Sequence, residues 1–294
     1  MHHPPAWRIS HTHTLSLDRP RIMAILNTTP DSFYQSATLD SPAAALAAAR
    51  RALDQGADLL DIGGESTRPG SESVPAQEQI QRTIPAIREI RRAGLTLPIS
   101  IDTTLAQVAR AALDAGADII NDISAGHDDP DLLPLAAERS AALILMHRPF
   151  KPARDRYSDR YDPTETPTYA DVVRDVAAYL SQRARAAIAA GVPHDAILLD
   201  PGLGFGKSVP DNLKLIAGTP ILAALGHPIL SALSRKSFVG RIALNRDSTP
   251  DERLPATLAL STLHHAASAR VFRVHDVAEH RQALDAAAAL TASR

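Results

Sequence analysis

The 294-residue sequence contains no cysteine, which excludes disulfides, thiolate metal sites and a thiol nucleophile together. Any chemistry must come from oxygen and nitrogen groups. Charge of one sign is also lacking: the formal net charge is −2 and no long block of like charges occurs, so general binding to nucleic acid or to a membrane surface has no electrostatic basis. No apolar run reaches the length needed to cross a bilayer, and the first twenty residues lack the apolar stretch of a signal peptide, so a cytoplasmic protein is expected. A nucleotide-phosphate loop is missing too. The run DPGLGFGKS (200–208) imitates one, but the Walker pattern needs a glycine where Pro201 stands, and the dinucleotide fingerprint needs one where Lys207 stands.

What is present is enough apolar material, 45% against 22% charged, for one large core. Short runs rich in Ile, Leu and Val alternate with Ala-rich stretches, the pattern of buried parallel strands separated by helices. Eight strands are predicted, at 21–26, 58–62, 98–102, 118–122, 142–146, 196–200, 228–233 and 270–274, each followed by a helix. Ser41 before Pro42, Thr104 with Gln107, and Thr249 with Glu252 are read as helix N-caps, and Gly56 and Gly116 as left-handed helix ends. The expected fold is an α/β TIM (β/α)8 barrel with an N-terminal hairpin or arm, residues 1–20 closing its bottom and 21–294 forming the barrel; an open doubly wound sheet is the competing fold. Closure would gather Asn27, Asp102, Asn121, Asp200, Lys236, Arg273 and His275 at one rim. Long connections at 27–41, 63–76 and 147–168 would cover it.

The loops after the last two strands, SRKSFVG (234–240) and RVHDV (273–277), collect Ser234, Arg235, Lys236, Arg273 and His275 into a local anion site. Arg235 serves equally well as an ion-pair partner of Asp276. Asp102, Asn121 and Asp200 face this site as readers of a flat heterocycle with adjacent N–H donors. Acids after strands also cap helices, and that is the reading for Asp61 and Asp122. The 147–169 segment reads as a surface insertion, and His2, His3, His11 and His13 as a flexible polar terminus.

Eight segments in order, ILNTTPDSF (25–33), GADLLDIGGESTRPGS (56–71), ISIDTT (99–104), GADIINDISAG (116–126), LMH (145–147), LLDPGLGFGKS (198–208), LSRKSFVG (233–240) and FRVHDV (272–277), together resemble dihydropteroate synthase. The resemblance implies an enzyme that joins hydroxymethyl-dihydropterin pyrophosphate to para-aminobenzoate in folate synthesis. It implies pterin binding by Asp102, Asn121, Asp200, Lys236 and Arg273, and pyrophosphate binding by Asn27, Arg68, Arg273 and His275. Thr67, Arg68, Pro69, Phe205 and Ser237 match the aminobenzoate side, Asn27 a ligand of Mg2+, and Asn27, Arg68, Lys236, Arg273 and His275 the catalytic set. It also implies small-molecule substrates and a homodimer built on the last helices, for which 256–267 offers an apolar stripe that core packing would explain equally. The sequence departs from the family after TPDSF, where Tyr34, Gln35, Ser36 and Ala37 replace a common Ser-Asp-Gly-Gly. A catalytically silent pterin-binding paralogue and a pterin-dependent methyltransferase domain are the competing readings; the second has no use for STRPG or SRKSF, both present.

Overall fold

The computed structural model describes residues 4–27, 41–162 and 167–293. Chain order begins with a hairpin, β1 (Ala6–Arg8) and β2 (Thr14–Ser16), followed by β3 (Arg21–Asn27), α1 (Pro42–Asp54), β4 (Leu59–Gly63), α2 (Ala76–Arg92) and β5 (Ile99–Asp102). Next come α3 (Ala106–Asp114), β6 (Ile119–Asp122), α4 (Leu132–Arg139), β7 (Ala142–Met146), α5 (Val172–Ala189) and β8 (Ile197–Asp200). The chain ends with α6 (Val209–Ala217), α7 (Thr219–Ala223), β9 (Leu230–Ser231), α8 (Ser237–Leu244), α9 (Leu254–Ala266), β10 (Val271–Val274) and α10 (Val277–Ala292).

The eight strands β3 to β10 run parallel in the order β8-β7-β6-β5-β4-β3-β10-β9. A parallel bridge between Leu199 and Ile229, with Leu199 N–H donating to Pro228 O at 3.0 Å, joins the two ends, so the sheet closes into a barrel. The strands of β4 to β8 are buried on both faces, as helix-covered parallel strands must be. Ile22, Leu60, Ile101, Ile120, Leu143 and Leu199 pack outward against the helices, in one cluster with Ile87, Val108 and Leu180. Inward-facing Met23, Leu59, Ile119, Ile144, Leu198 and Val271 pack instead with Trp7, Ile9, Leu15 and Leu17, so the hairpin plugs the N-terminal end of the barrel. Trp7 is fully buried, and its indole N–H donates to Ala196 O at 3.0 Å, which satisfies the one polar atom that burial would otherwise strand.

Several local expectations change. Strand β9 is much shorter than 228–233, because Pro228 has no N–H to donate and the chain turns away at Arg235, whose φ is 58°. Thr104 and Gln107 do not cap α3; Ala106 N–H at the helix start donates to Asp129 across the surface at 2.8 Å, while Thr103 bonds Gln79. Ser41 does cap α1, accepting from Ala44 N–H, and Gly56 and Gly116 take the left-handed conformation. His11 and His13 lie in the ordered hairpin turn, where Ile9 N–H donates to His13 O at 2.9 Å and His11 bonds Ser140. His2, His3 and residues 31–37 lie outside the described residues. No helix among the described residues is long and apolar enough to cross a membrane.

Candidate active site

Closure of the barrel brings the C-terminal ends of its strands to one mouth, where a single cavity of about 430 Å3 opens. Asp102, Asn121, Asp200, Lys236 and Arg273 line it, together with Thr67, Arg68, Pro69, Phe205, Ser237 and His275. Every candidate side chain that the structure describes therefore faces this cavity. Asn27 ends β3 opposite Gly63 in register, beside the loop that carries Arg68, and its side chain lies outside the described part.

The floor is a set of charged and amide groups, of which Asp102, Asn121 and Asp200 are themselves almost wholly buried. Asp102 and Asn121 are register partners on the adjacent strands β5 and β6, and both line the cavity. Arg273 reaches from β10, its Nε donating to Asp61 at 2.6 Å and its Nη2 to Asp102 at 3.0 Å. Burial, then the nearby Asp61 charge, pushes the Asp102 carboxyl up to about 7, against the opposing pull of Arg273. Asp200 accepts Gly202 N–H at 2.7 Å, and burial raises its pKa although Lys236 works the other way. Burial lowers the Lys236 ammonium to about 8, with Asp200 opposing. Lys236 donates to Leu203 O and lies over the Phe205 ring, 4.4 Å from its centroid.

The anion side has a different character. Arg235 is spent on structure: it pairs with Asp276 and with Asp251 at 2.5 Å. Arg273 pairs with Asp61 and Asp102 and not with Asp276. His275 stands at the rim, its Nδ1 3.1 Å from Ser234 Oγ. The loop after β4 is held in shape by Ser71, whose hydroxyl donates to Ser66 O at 2.6 Å or Arg68 O at 2.7 Å, and by Glu65, which accepts from Val74 N–H and from Gln79. Ser237 begins α8, where free backbone N–H groups and the helix dipole favour a carboxylate. Among the described residues no group of three or more acidic or histidine side chains could hold a metal.

Asp61 is not a helix cap. It sits within β4, fully buried, and bonds Arg273 and Asn121 Nδ2, whereas Asp122 does organise its own turn, accepting from Ser124 and Gly126. The sequence signal for Asp61 was its place inside an otherwise apolar strand, where a charge needs a partner. The 147–162 segment is no surface insertion. Asp155 is buried and accepts from Gly206 N–H at 3.1 Å and from Tyr161, Ser158 accepts from Asn212 at 3.1 Å, and Tyr157, Asp159 and Arg160 form part of the cavity wall. Gly70 N–H donates to Pro152 O at 2.8 Å, tying this strap to the loop after β4.

The strap also explains the glycines of DPGLGFGKS. A Cβ on Gly202, whose φ is +68°, would stand 1.9 Å from His147 O, and one on Gly206, at φ +59°, 2.0 Å from Pro149. Only glycine lets the loop pass under the strap. Lys207 turns inward, fully buried, and its ammonium donates to Gly202 O at 2.9 Å and Phe205 O at 2.7 Å beside His147 Nδ1 at 3.0 Å. It is the peg of the loop and meets no nucleotide.

Fold and cavity define the class: a closed parallel barrel whose mouth holds one cavity lined by carboxylates and an amide, with cations at its edge. The family model for pterin binding enzymes matches residues 23–275. A dihydropteroate synthase of Synechocystis sp. is 42% identical over 272 residues, 92% of this chain and 90% of that protein. The structure of Xanthomonas albilineans dihydropteroate synthase with 4-aminobenzoic acid superposes with a TM-score of 0.85 at 40% identity, covering 98% of both chains. The same enzyme in complex with 7,8-dihydropteroate gives 0.81 at 38% identity, over 98% of this chain and 99% of that one. The chain belongs to the dihydropteroate synthase family of pterin-binding enzymes.

Proposed function

We propose that this chain catalyses the dihydropteroate synthase reaction at the barrel mouth, with the cavity divided between its two substrates. The observation that carries this reading is that the acid–amide–lysine floor and the Arg68–His275 rim open into one cavity, so a heterocycle on the floor presents its side chain to the cations. Asp102, Asn121, Asp200 and Lys236 would hold the pterin ring edge-on, and the Arg273 guanidinium would lie along its face. Arg68, Arg273 and His275 would hold the pyrophosphate. Thr67, Pro69, Phe205 and Ser237 would seat para-aminobenzoate, its carboxylate toward the start of α8.

The chemistry needs no enzyme nucleophile. The C–O bond to pyrophosphate breaks with the electron pair leaving on oxygen, and the buried carboxylates stabilise the cationic pterin methylene. The neutral aniline nitrogen then forms the C–N bond, and its surplus proton passes to the departing pyrophosphate. Asn27, which ends β3 in register with Gly63, would be the magnesium ligand, an amide being an oxygen donor type that suits Mg2+. Bound there with the pyrophosphate, magnesium would supply charge neutralisation of the leaving group. Two copies are proposed to pair through α9 and α10. On α9 the inward face carries Thr257, Ser261, His264 and His265, whereas Leu263 is 60% exposed and Leu290 on α10 is 61% exposed.

The test is pyrophosphate release from purified protein given the pterin pyrophosphate and magnesium, with and without para-aminobenzoate. Release together with formation of dihydropteroate is expected, and Asp200→Ala and Lys236→Ala should each lower kcat/KM by roughly a hundredfold or more. Absence of release in both conditions would leave the silent paralogue as the answer.

A further inference from the structure

One buried charge at the mouth has no part in the chemistry above. Asp61 lies in β4 one layer beneath the cavity floor; its carboxylate is fully buried and does not line the cavity. Its partners come from two other strands. Arg273 of β10 donates Nε to Asp61 Oδ2 at 2.6 Å, and Asn121 of β6 donates Nδ2 to Asp61 Oδ1 at 3.3 Å. Both partners belong to the proposed pterin site, so one carboxylate fixes two ligand-facing side chains at once.

The consequence follows from donor and acceptor counts. A carboxylate paired with a guanidinium offers lone pairs alone, so the end of Asn121 that meets it must be the NH2. The amide oxygen is then the end turned away from Asp61. Without such a partner an asparagine amide can turn over and present either end to a ligand. Arg273 is constrained likewise: with Nε on Asp61 and Nη2 on Asp102, its plane is held by two carboxylates and its face and Nη1 remain for a ligand.

We propose that Asp61 is a positioning residue that sets the polarity of the pterin site, committing Asn121 to accept a hydrogen bond and Arg273 to lie flat. This rests on the pterin-site reading above and goes beyond it by assigning why that site takes a ring edge bearing an N–H donor and rejects an acceptor at the same place. A buried acid of this kind costs desolvation, and two donors from separate strands offset that cost only in the arrangement observed.

The experiment uses Asp61→Asn, which keeps size and removes the charge, so that the amide at 61 can pair with Asn121 in either orientation. Binding of 6-hydroxymethylpterin alone is measured by calorimetry beside steady-state kinetics with both substrates. The pterin Kd is expected to rise tenfold or more while the KM for para-aminobenzoate stays within about twofold. A second readout is the pH profile. Asp102 faces Asp61, Glu65 and Asp122 as like charges and Arg273 and Lys236 as opposite ones, so loss of the Asp61 charge moves the acid limb of kcat/KM to lower pH. A general packing defect would weaken both substrates in parallel and leave that limb in place. An unchanged pterin Kd in a folded variant, or parallel loss of both substrates with an unmoved limb, overturns the proposal. Should Asp61→Asn not fold, Asp61→Ser, which leaves room for a water, is read in the same way. An inactive wild-type protein would instead overturn the assigned reaction, so the two failures are distinct.

Discussion

Burial gives individual side chains at the mouth properties that their free forms lack. Asp102 is raised to about 7 and Lys236 lowered to about 8, and in the proposed mechanism both act charged, the first to accept from the ring and steady the cation, the second to donate. On that mechanism activity requires a pH above the Asp102 value and below the Lys236 value. A bell-shaped profile of kcat/KM for the pterin substrate is expected, narrow, with limbs near 7 and 8, and a flat profile from pH 6 to 9 would refute it. Gly202 supplies a second prediction at this scale. Its positive φ and the 1.9 Å approach of a Cβ to His147 O make Gly202→Ala untenable without moving the loop. A stability loss on the order of 3 kcal/mol is expected by thermal or urea unfolding. Because Asp200 and Phe205 flank that residue, kcat/KM should fall about tenfold in whatever protein remains folded.

Among the elements, the N-terminal hairpin and the 147–162 strap serve opposite ends of the barrel. Trp7 anchors the first. Trp7→Ala empties a fully buried site and strands Ala196 O, a loss of about 3–5 kcal/mol that would appear as a fall in Tm on the order of 10 °C. Because the plug is remote from the mouth, kcat at 25 °C should stay within about twofold. Most of this layer was legible before any coordinates. Strands such as Ala142–Met146 are short apolar runs between helices, and burial on both faces writes that pattern directly. The strap was not legible. Its buried acid, Asp155, and its Tyr161 are polar residues that read as surface; Tyr161 donates to Asp155, and Asp155 in turn accepts from Gly206 in a loop some fifty residues on. Asp61 escaped for the same reason, since an acid after apolar residues looks like a cap until the Arg273 guanidinium is seen beside it. The described candidate residues gather around the mouth because strand ends converge by topology alone, but motifs do not report which side chain supports which.

For the whole molecule, α9 turns its polar residues inward and leaves leucine outside, the reverse of an ordinary surface helix. Exposed Leu263 on α9 and Leu290 on α10 are the apolar contacts on which the proposed pairing rests. If the proposed pairing holds, the wild-type protein sediments as a dimer and Leu263→Glu combined with Leu290→Glu converts it to a monomer in sedimentation velocity. A wild-type protein that sediments as a monomer at micromolar concentration would exclude the pairing.

The hydrogen bond from Gly70 to Pro152 carries an implication for traffic through the mouth. It rivets two segments that border the same opening, so moving either one alone costs that bond, about 1 kcal/mol. On the proposed seating of the second substrate, its entry would shift them as one shutter or unfasten that rivet first.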